Sequence, residues 1–256
     1  MASDVHLTLP VNPALLTAAA GMKARLETLD VLANNLANAS TAGYKADAEF
    51  YRLFAAARAR PDPRTGDGDP MPVVEASATD FRAGPIEETG SPFDIALAGP
   101  GFLRLQGPAG DVYTRQGSLI RAPDGRLLGP NGLVAADAEG KPIVLPPNGA
   151  VEIAANGLVR VDGQAAGSLV LVEFDNPRAL RKAGDALFAA PEEAGVRPAA
   201  ATAVRQGALE GSNVNPSLSA VRLLSAGRHF ELLRRVSTLV GDEMDGRAVA
   251  ELGRSS

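Results

Sequence analysis

The sequence contains no cysteine and no tryptophan, and only 4% of its 256 residues are aromatic. Without thiols, disulfides, thiolate nucleophiles and cysteine-bound metals are all excluded, and the chain is indifferent to the redox state of its compartment. So few aromatics leave little of the stacking platform with which proteins hold bases or sugars. Histidine is nearly absent too. Of the two present, His6 lies in an expected frayed terminus and His229 sits between Arg228 and helix-packing residues, so neither is placed for acid–base work. No apolar run approaches bilayer length, and "MASDVHLTLPVNPALL" shows no basic region followed by an apolar one. A cleavable secretory signal is therefore not expected, and passage out of the cytoplasm would need another route. The net charge of -5 is spread along the chain, which argues against nucleic acid or anionic membrane as a main partner.

What is present is 45% hydrophobic residues, enough to bury a core, with 27 glycines and 19 prolines marking a turn-rich chain. A helix is signalled at Asn12-Pro13, a good N-cap followed by proline at the first helical position, where a missing N–H costs nothing. From there Leu15, Ala19, Met22, Leu26, Leu29, Ala33 and Leu36 recur at alternating steps of four and three, a heptad seam that runs to about Asn38. Asn215-Pro216 opens a second helix in the same way. That helix carries two apolar stripes, Leu223, Ala226, Phe230, Leu233, Ser237, Val240 and Met244, and Leu218, Val221, Ser225, Leu232, Val236 and Leu239. Two stripes on one helix imply more than one packing partner.

Between the helices the texture changes. Arg58 to Pro72 holds four prolines and two glycines and reads as a linker or exposed loop. From about Val73 to Gln206, short runs such as "FDIAL", "GFLRLQ", "VEIA" and "SLVLVEF" are punctuated by Asp124-Gly125, Asn131-Gly132, Asn148-Gly149, Asn156-Gly157 and Asp162-Gly163. These dipeptides tolerate the positive φ of tight hairpin turns, so the region is expected to be an antiparallel β-domain. The fold class expected is α+β: long N- and C-terminal helices pairing as a coiled-coil-like stalk, with an inserted antiparallel all-β domain. The segments are 1–44 (N-terminal helical), 45–80 (linker and extended), 81–206 (β-rich) and 207–256 (C-terminal helical).

Candidate chemistry is thin. Glu87 and Glu88 are adjacent and would point to opposite faces of a strand, unlike the paired carboxylates of a glycosidase. "DPRTGDGDP", with Asp62, Asp67 and Asp69, lacks the twelve-residue spacing and terminal glutamate of a calcium loop. "LAGPGFLRL" has Gly99 and Gly101 but neither the third glycine nor the helix of a phosphate-binding loop, and reads as a turn feeding a strand. Asn38-Ala39-Ser40 matches the short glycosylation pattern in a chain without a secretory signal. The plainer account of Asn34, Asn35 and Asn38 is that their side chains compete with the backbone and end the helix, while Gly43 can take a left-handed conformation. No catalytic, cofactor-binding or metal-binding residues are assigned, and no cofactor or small-molecule substrate is expected.

"LDVLANNLANASTAGYK" resembles the N-terminal motif of the bacterial flagellar rod and hook family, and "GALEGSNVNP" followed by a long helix resembles that family's C-terminal motif. Between them, "TGSPFDIALAGPGFLRLQGPAGDVYTRQGSLIRAPDGRLLGPNGLV" is similar to its central segment, including Gly101-Phe102 and the pattern of Tyr113, Thr114, Arg115 and Gly117. The resemblance implies a structural rod subunit of the basal body, exported by the flagellar type III apparatus, with other rod subunits and copies of itself as partners. It also implies that the terminal helices pack into an inner tube with the β-domain outside. The residues expected to pack subunits together are Leu15, Met22, Leu26, Leu29, Asn34, Asn35, Leu36, Asn38 and Gly43, and in the second segment Asn213, Asn215, Leu223, Phe230, Leu233 and Val240. An insertion of the "LYQ" type, associated with the distal rod, is absent; "YRLFAAARARPDP" stands in its place, so the proximal rod protein is the nearer likeness. Two departures are "SAGRHFE" in the second helix, with Gly227 inside it, and Pro100 in "FDIALAGPGF". A wall-acting β-domain enzyme on a helical stalk is the competing expectation.

Overall fold

The computed structural model describes residues 13–54, 71–184 and 186–252. Helix α1 spans Pro13–Ala37 and helix α2 spans Pro216–Leu252, each opening at the proline that the sequence marks. Everything else described is strand, turn or short 3-10 helix, and every strand pair whose register is defined is antiparallel. The class is α+β, two helices with a β-rich middle. Most of the expected linker, residues 58–70, lies outside the described residues. In the described part of the 45–80 segment, Asp47–Phe54 and Met71–Thr79 are extended and pair as a two-stranded sheet.

Two compact units divide the chain: one holds residues 1–34, 48–78 and 217–256, the other residues 35–47 and 79–216. In the first, a Cβ added to Gly21 on α1 would stand 3.7 Å from Leu233 Cδ1 on α2, so the two helices touch there. Among the described side chains of the helices, the buried ones are Ala24, Thr28 and Asn35 on α1 and Ala226 on α2. The α1 seam read from sequence is less buried in the single chain: Met22, Leu29 and Leu36 are half-buried, Ala19 and Ala33 are exposed, and Leu26 is 48% exposed. Small residues, Gly21 and Ala24, permit closer approach than the leucines beside them. On α2 the members of the first stripe among the described side chains, Leu223, Phe230, Leu233 and Ser237, are half-buried beside Ala226. Leu218, Val221, Ser225, Leu232, Val236 and Leu239 of the second are exposed, as is Leu224, which lies in neither stripe.

The second unit is built on a six-stranded antiparallel sheet in the order Arg181–Lys182, Leu187–Ala189, Gly110–Thr114, Phe102–Gly107, Leu171–Phe174, Val196–Pro198. Alternation along its strands sends two kinds of side chain to two faces. Phe102, Tyr113, Val172 and Phe174 enter one cluster with Phe188 and Phe81, where Phe102 meets Phe81, Phe174 and Phe188 at centroid distances of 5.6, 5.3 and 5.8 Å. Leu103, Leu105, Val112 and Leu171 face an aliphatic cluster completed by Ile143, Leu145, Ile153, Val159, Val161 and Val204. With both faces covered, apolar side chains of the central strands are buried on each side, while Arg104 and Gln106 stay partly exposed and Asp111 is exposed. The aromatics that a wall-binding surface would need are spent in this core.

Of the dipeptides named above, Asn131-Gly132 lies in a short 3-10 helix and Asn148-Gly149 in a bend, whereas Asp162-Gly163 is the clearest hairpin turn. Val161 pairs with Gln164 across it, and φ is 50° at Asp162 and 80° at Gly163, the two positive values a two-residue hairpin requires. Phe188, fully buried and in contact with two other rings, anchors the aromatic cluster. Replacing it with alanine is expected to cost about 3–5 kcal/mol in urea unfolding of the monomer, while Ile120→Ala, at a site 56% exposed, should change little.

Candidate functional site

The densest polar constellation in the second unit lies where the segment after α1 meets the segment before α2. Residues 38–44 leave the helix through tight turns: Thr41 N donates to Asn38 O (3.1 Å), its hydroxyl donates to Asn38 Oδ1 (3.1 Å), and Tyr44 N donates to Thr41 O (3.2 Å). Gly43 takes φ 69° and its N–H donates to Glu210 O at 2.7 Å. A Cβ there would fall 2.3 Å from Gln116 N and 2.5 Å from the Arg115 carbonyl carbon, so glycine is required twice over, by conformation and by space.

The next two residues turn inward. The Tyr44 ring is wholly buried and its hydroxyl donates to Asn35 Oδ1 (3.1 Å). Asn35 also pairs its amide with the backbone of Asp47, Nδ2 donating to Asp47 O (2.8 Å) and Oδ1 accepting from Asp47 N (2.9 Å). Its side chain acts as a short length of strand laid against the chain beyond the helix end. Lys182 closes this side, its Nζ donating to Asp47 Oδ2 (2.7 Å), Lys45 O (2.9 Å) and the Tyr44 hydroxyl (3.3 Å), 4.3 Å from the Tyr44 ring centroid.

At the centre, Lys45 and Glu210 are both 0% exposed and Arg115 is 3% exposed. One Glu210 carboxylate oxygen accepts from Lys45 Nζ (2.5 Å) and Gly84 N (2.9 Å), and the other from Arg115 Nε (2.8 Å) and Nη2 (2.7 Å). Arg115 also donates to the carbonyls of Leu97, Gly99 and Gly101, and Lys45 to Arg82 O. Burial pulls the pKa of Lys45 below its ordinary value, with Glu210 pulling the other way and Arg115 adding to the depression. Two cations share one carboxylate, so Glu210 is the member whose loss leaves most uncompensated charge in the interior. Asn213 stitches the same region: its N–H donates to Tyr44 O (3.4 Å), its Oδ1 accepts from Ala46 N (2.8 Å), and its Nδ2 donates to Asp80 O (2.7 Å) and Arg82 O (3.1 Å).

Of the residues expected to pack subunits, Asn35, Gly43 and Asn213 are therefore drawn together inside this unit. Asn38 is half-buried in its turn, and Asn34 and Asn215 are exposed. Leu223, Phe230 and Leu233 lie on the more buried face of α2; the side chains of Leu15 and Val240 lie outside the described residues. Lys45, Arg115 and Glu210 were not singled out from sequence as a group, although each sits inside a motif quoted above. The available signal was a charge flanked by apolar or small residues at Lys45 and Glu210; Arg115, followed by Gln116, carried none. Lys182 carried no such signal.

Among the described residues no group of histidine, cysteine, aspartate and glutamate could hold a metal, and no helix is long and apolar enough to cross a membrane. The second buried carboxylate, Glu173, accepts from Ala201 N (2.9 Å) and the Thr202 hydroxyl (3.1 Å) and pairs with Arg197 (3.0 Å). Those donors, the Ala201 N–H above all, hold its pKa below the usual carboxylate range. The arrangement fixes chain segments to one another; every buried acid in it is consumed by internal donors.

Three separate stretches of the chain match families of known proteins. Residues 15–45 match the flagella basal body rod protein family, 96–161 the flagellar hook protein FlgE/F/G D1 domain, and 205–250 the C-terminal region of the flagellar basal body rod FlgEFG proteins. The chain is 31% identical over 229 residues to the flagellar basal-body rod protein FlgF of Caulobacter vibrioides, covering 88% of this chain and 92% of that protein. It is 32% identical to FlgF of Mesorhizobium japonicum over 236 residues (89% and 92%), and 31% identical to FlgG of Agrobacterium fabrum over 256 residues (90% and 96%). An α+β chain in which the segments after α1 and before α2 are clasped to the β-rich middle is thus one of the axial structural proteins of the flagellum. The chain belongs to the flagellar basal-body rod protein family, a structural component of the basal body that assembles with other rod subunits. Each matched stretch contributes one charged member of the buried clasp: Lys45, Arg115 and Glu210.

The contribution of Gly43 can be separated from that of glycine in general. Gly90 has nearly the same φ, 70°, but a Cβ there would meet nothing within 4 Å. Gly43→Ala should therefore destabilise the monomer by at least about 2 kcal/mol more than Gly90→Ala in denaturant titration; equal losses would mean that conformation alone sets the requirement.

Proposed function

We propose that this chain is a FlgF-type subunit of the proximal rod, which works without catalysis as part of the torque-transmitting shaft where the rod crosses the periplasm. The observation that carries the reading is the apolar stripe of α2. Val221, Leu224, Leu232, Val236 and Leu239 are 64, 67, 57, 53 and 68% exposed in the single chain. They fall on the face of the helix away from Ala226. An open groove of about 690 Å³ runs beside them past Leu223, Gly227 and Phe230. So much apolar surface on a long helix is suited to burial by another rod subunit.

In this reading α1 and α2 pair as a coiled-coil-like stalk, segments 1–44 and 207–256 form the axial part with neighbouring subunits and further copies of this chain, and 81–206 lies outside. Leu15, Met22, Leu26, Leu29, Leu36 and Val240 belong to those contacts, with Leu223, Phe230 and Leu233 facing the companion helix. Close-packed interfaces deform little, and stiffness is what a shaft supplies. Export through the flagellar type III apparatus follows from the role. A distal-rod position is the second reading, favoured by the FlgG identity over nine-tenths of the chain; detecting the subunit next to the membrane-proximal ring or under the hook in fractionated basal bodies distinguishes the two. A wall-acting enzyme is disfavoured by the internal use of Glu173 and Glu210.

Leu232→Asp and Val236→Asp test the stripe. Both sites are exposed in the single chain, so each variant should unfold within about 0.5 kcal/mol of the parent yet abolish motility in the strain that makes it. Normal motility and rod incorporation with both substitutions in place would show that the stripe packs against nothing.

A further inference from the structure

We infer that residues 203–213 form a strap that closes last in folding, with Glu210 as its latch. The inference rests on connectivity within the second unit and stands whether or not the chain occupies the proximal rod.

The strap is late in sequence and touches nearly every earlier part of the unit. Ala203–Gln206 pairs with Ile95–Ala98 along its whole length, and Ala208–Glu210 pairs with Ile86–Glu88. The Gln206 side chain donates to Val151 O and Pro92 O and accepts from Ile153 N, finishing the edge of strand Val151–Ile153. Val204 N donates to Ala155 O, while its side chain enters the aliphatic core. Glu210 and Asn213 then reach back 165 residues to Lys45 and 133 to Asp80.

Two of the other pairings in the unit are local hairpins, whereas Leu171–Phe174 pairs with Phe102–Gly107 and Leu187–Ala189 with Gly110–Thr114 across a shorter span of chain than the strap's own reach. Phe102–Gly107 folds onto Gly110–Thr114 with Gly107 opposite Gly110, and Val161 lies opposite Gln164 in the 151–168 meander. Short loops close at small entropic cost and long ones at greater cost, so these hairpins are ready before the strap has anything to bind. Charge acts in the same direction. Until Glu210 arrives, Lys45 and Arg115 would be two cations without the carboxylate that both now share, and burying them in that state is strongly unfavourable. Their surroundings stay hydrated and open until the strap seats. The consequence is a chain that remains open until its final β-segment is available.

Stopped-flow folding and unfolding of the full chain, kept dilute so that it stays monomeric, tests this. Contacts made after the transition state change unfolding and leave refolding alone. Glu210→Gln is expected to speed unfolding by about a hundredfold and Val204→Ala by about tenfold, with refolding rates within about twofold of the parent. Val159→Ala, in the meander, should instead slow refolding by at least about threefold. Where Glu210→Gln is too unstable to fold, Val204→Ala and Gln206→Ala carry the same test. Strap substitutions that take more than half of their effect from the refolding rate would overturn the inference and make the strap part of the nucleus.

Discussion

The structure of the second unit depends on one carboxylate. Glu210 is fully buried and gives each of its oxygens two donors, from Lys45 and Gly84 on one side and Arg115 on the other. A buried ion pair contributes little net stability over an apolar replacement, because desolvation offsets attraction. What it supplies here is obligation. Removing any member leaves charge or backbone unsatisfied, so the segment after α1, the middle of the β-region and the segment before α2 must come together in one register. Gly43 enforces the closeness, since the backbones of Arg115 and Gln116 pass where its Cβ would be.

Around that centre the unit is built by alternation. A sheet with phenylalanines on one face and leucines on the other separates two cores, and the Arg115 guanidinium reaches from the second strand's end to hold the carbonyls of the Gly99–Gly101 turn. The same turn is held from the opposite side by the Thr202 hydroxyl, which accepts from Gly101 N and donates to Glu173. Pro100, a departure from the family's usual residue, sits between two carbonyls that are already bound. This arrangement links the segments after α1 and before α2 to the sheet through short, buried, mutually oriented contacts.

Much of this was legible in the sequence. Both helices start at the prolines that announced them, Asp162-Gly163 turns the chain as a hairpin should, and the two stripes of α2 separate, among the described side chains, into a half-buried and an exposed face. The family motifs were legible as motifs. Their physical content was not, because it lies in contacts across as many as 165 residues, and no local period encodes a partner at that distance. Asn35 illustrates the gap: its neighbours in sequence suggest a helix terminus, and only the fold shows its amide paired with the backbone of Asp47. Lys182 was invisible for the same reason, lying in a two-residue strand outside every motif. The seam of α1 was read from leucine spacing, whereas the contact seen in the single chain is at the small residue Gly21.

The central claim is that Glu210 couples the segment after α1 to the segment before α2 energetically as well as geometrically. A double-mutant cycle on the monomer, Lys45→Met with Glu210→Gln measured by urea unfolding, tests it most directly. The account predicts a coupling of at least about 2 kcal/mol, the double variant losing much less than the two single losses together. Losses that add to within about 0.5 kcal/mol would contradict it, and would mean that the clasp is a consequence of the fold and not a condition for it.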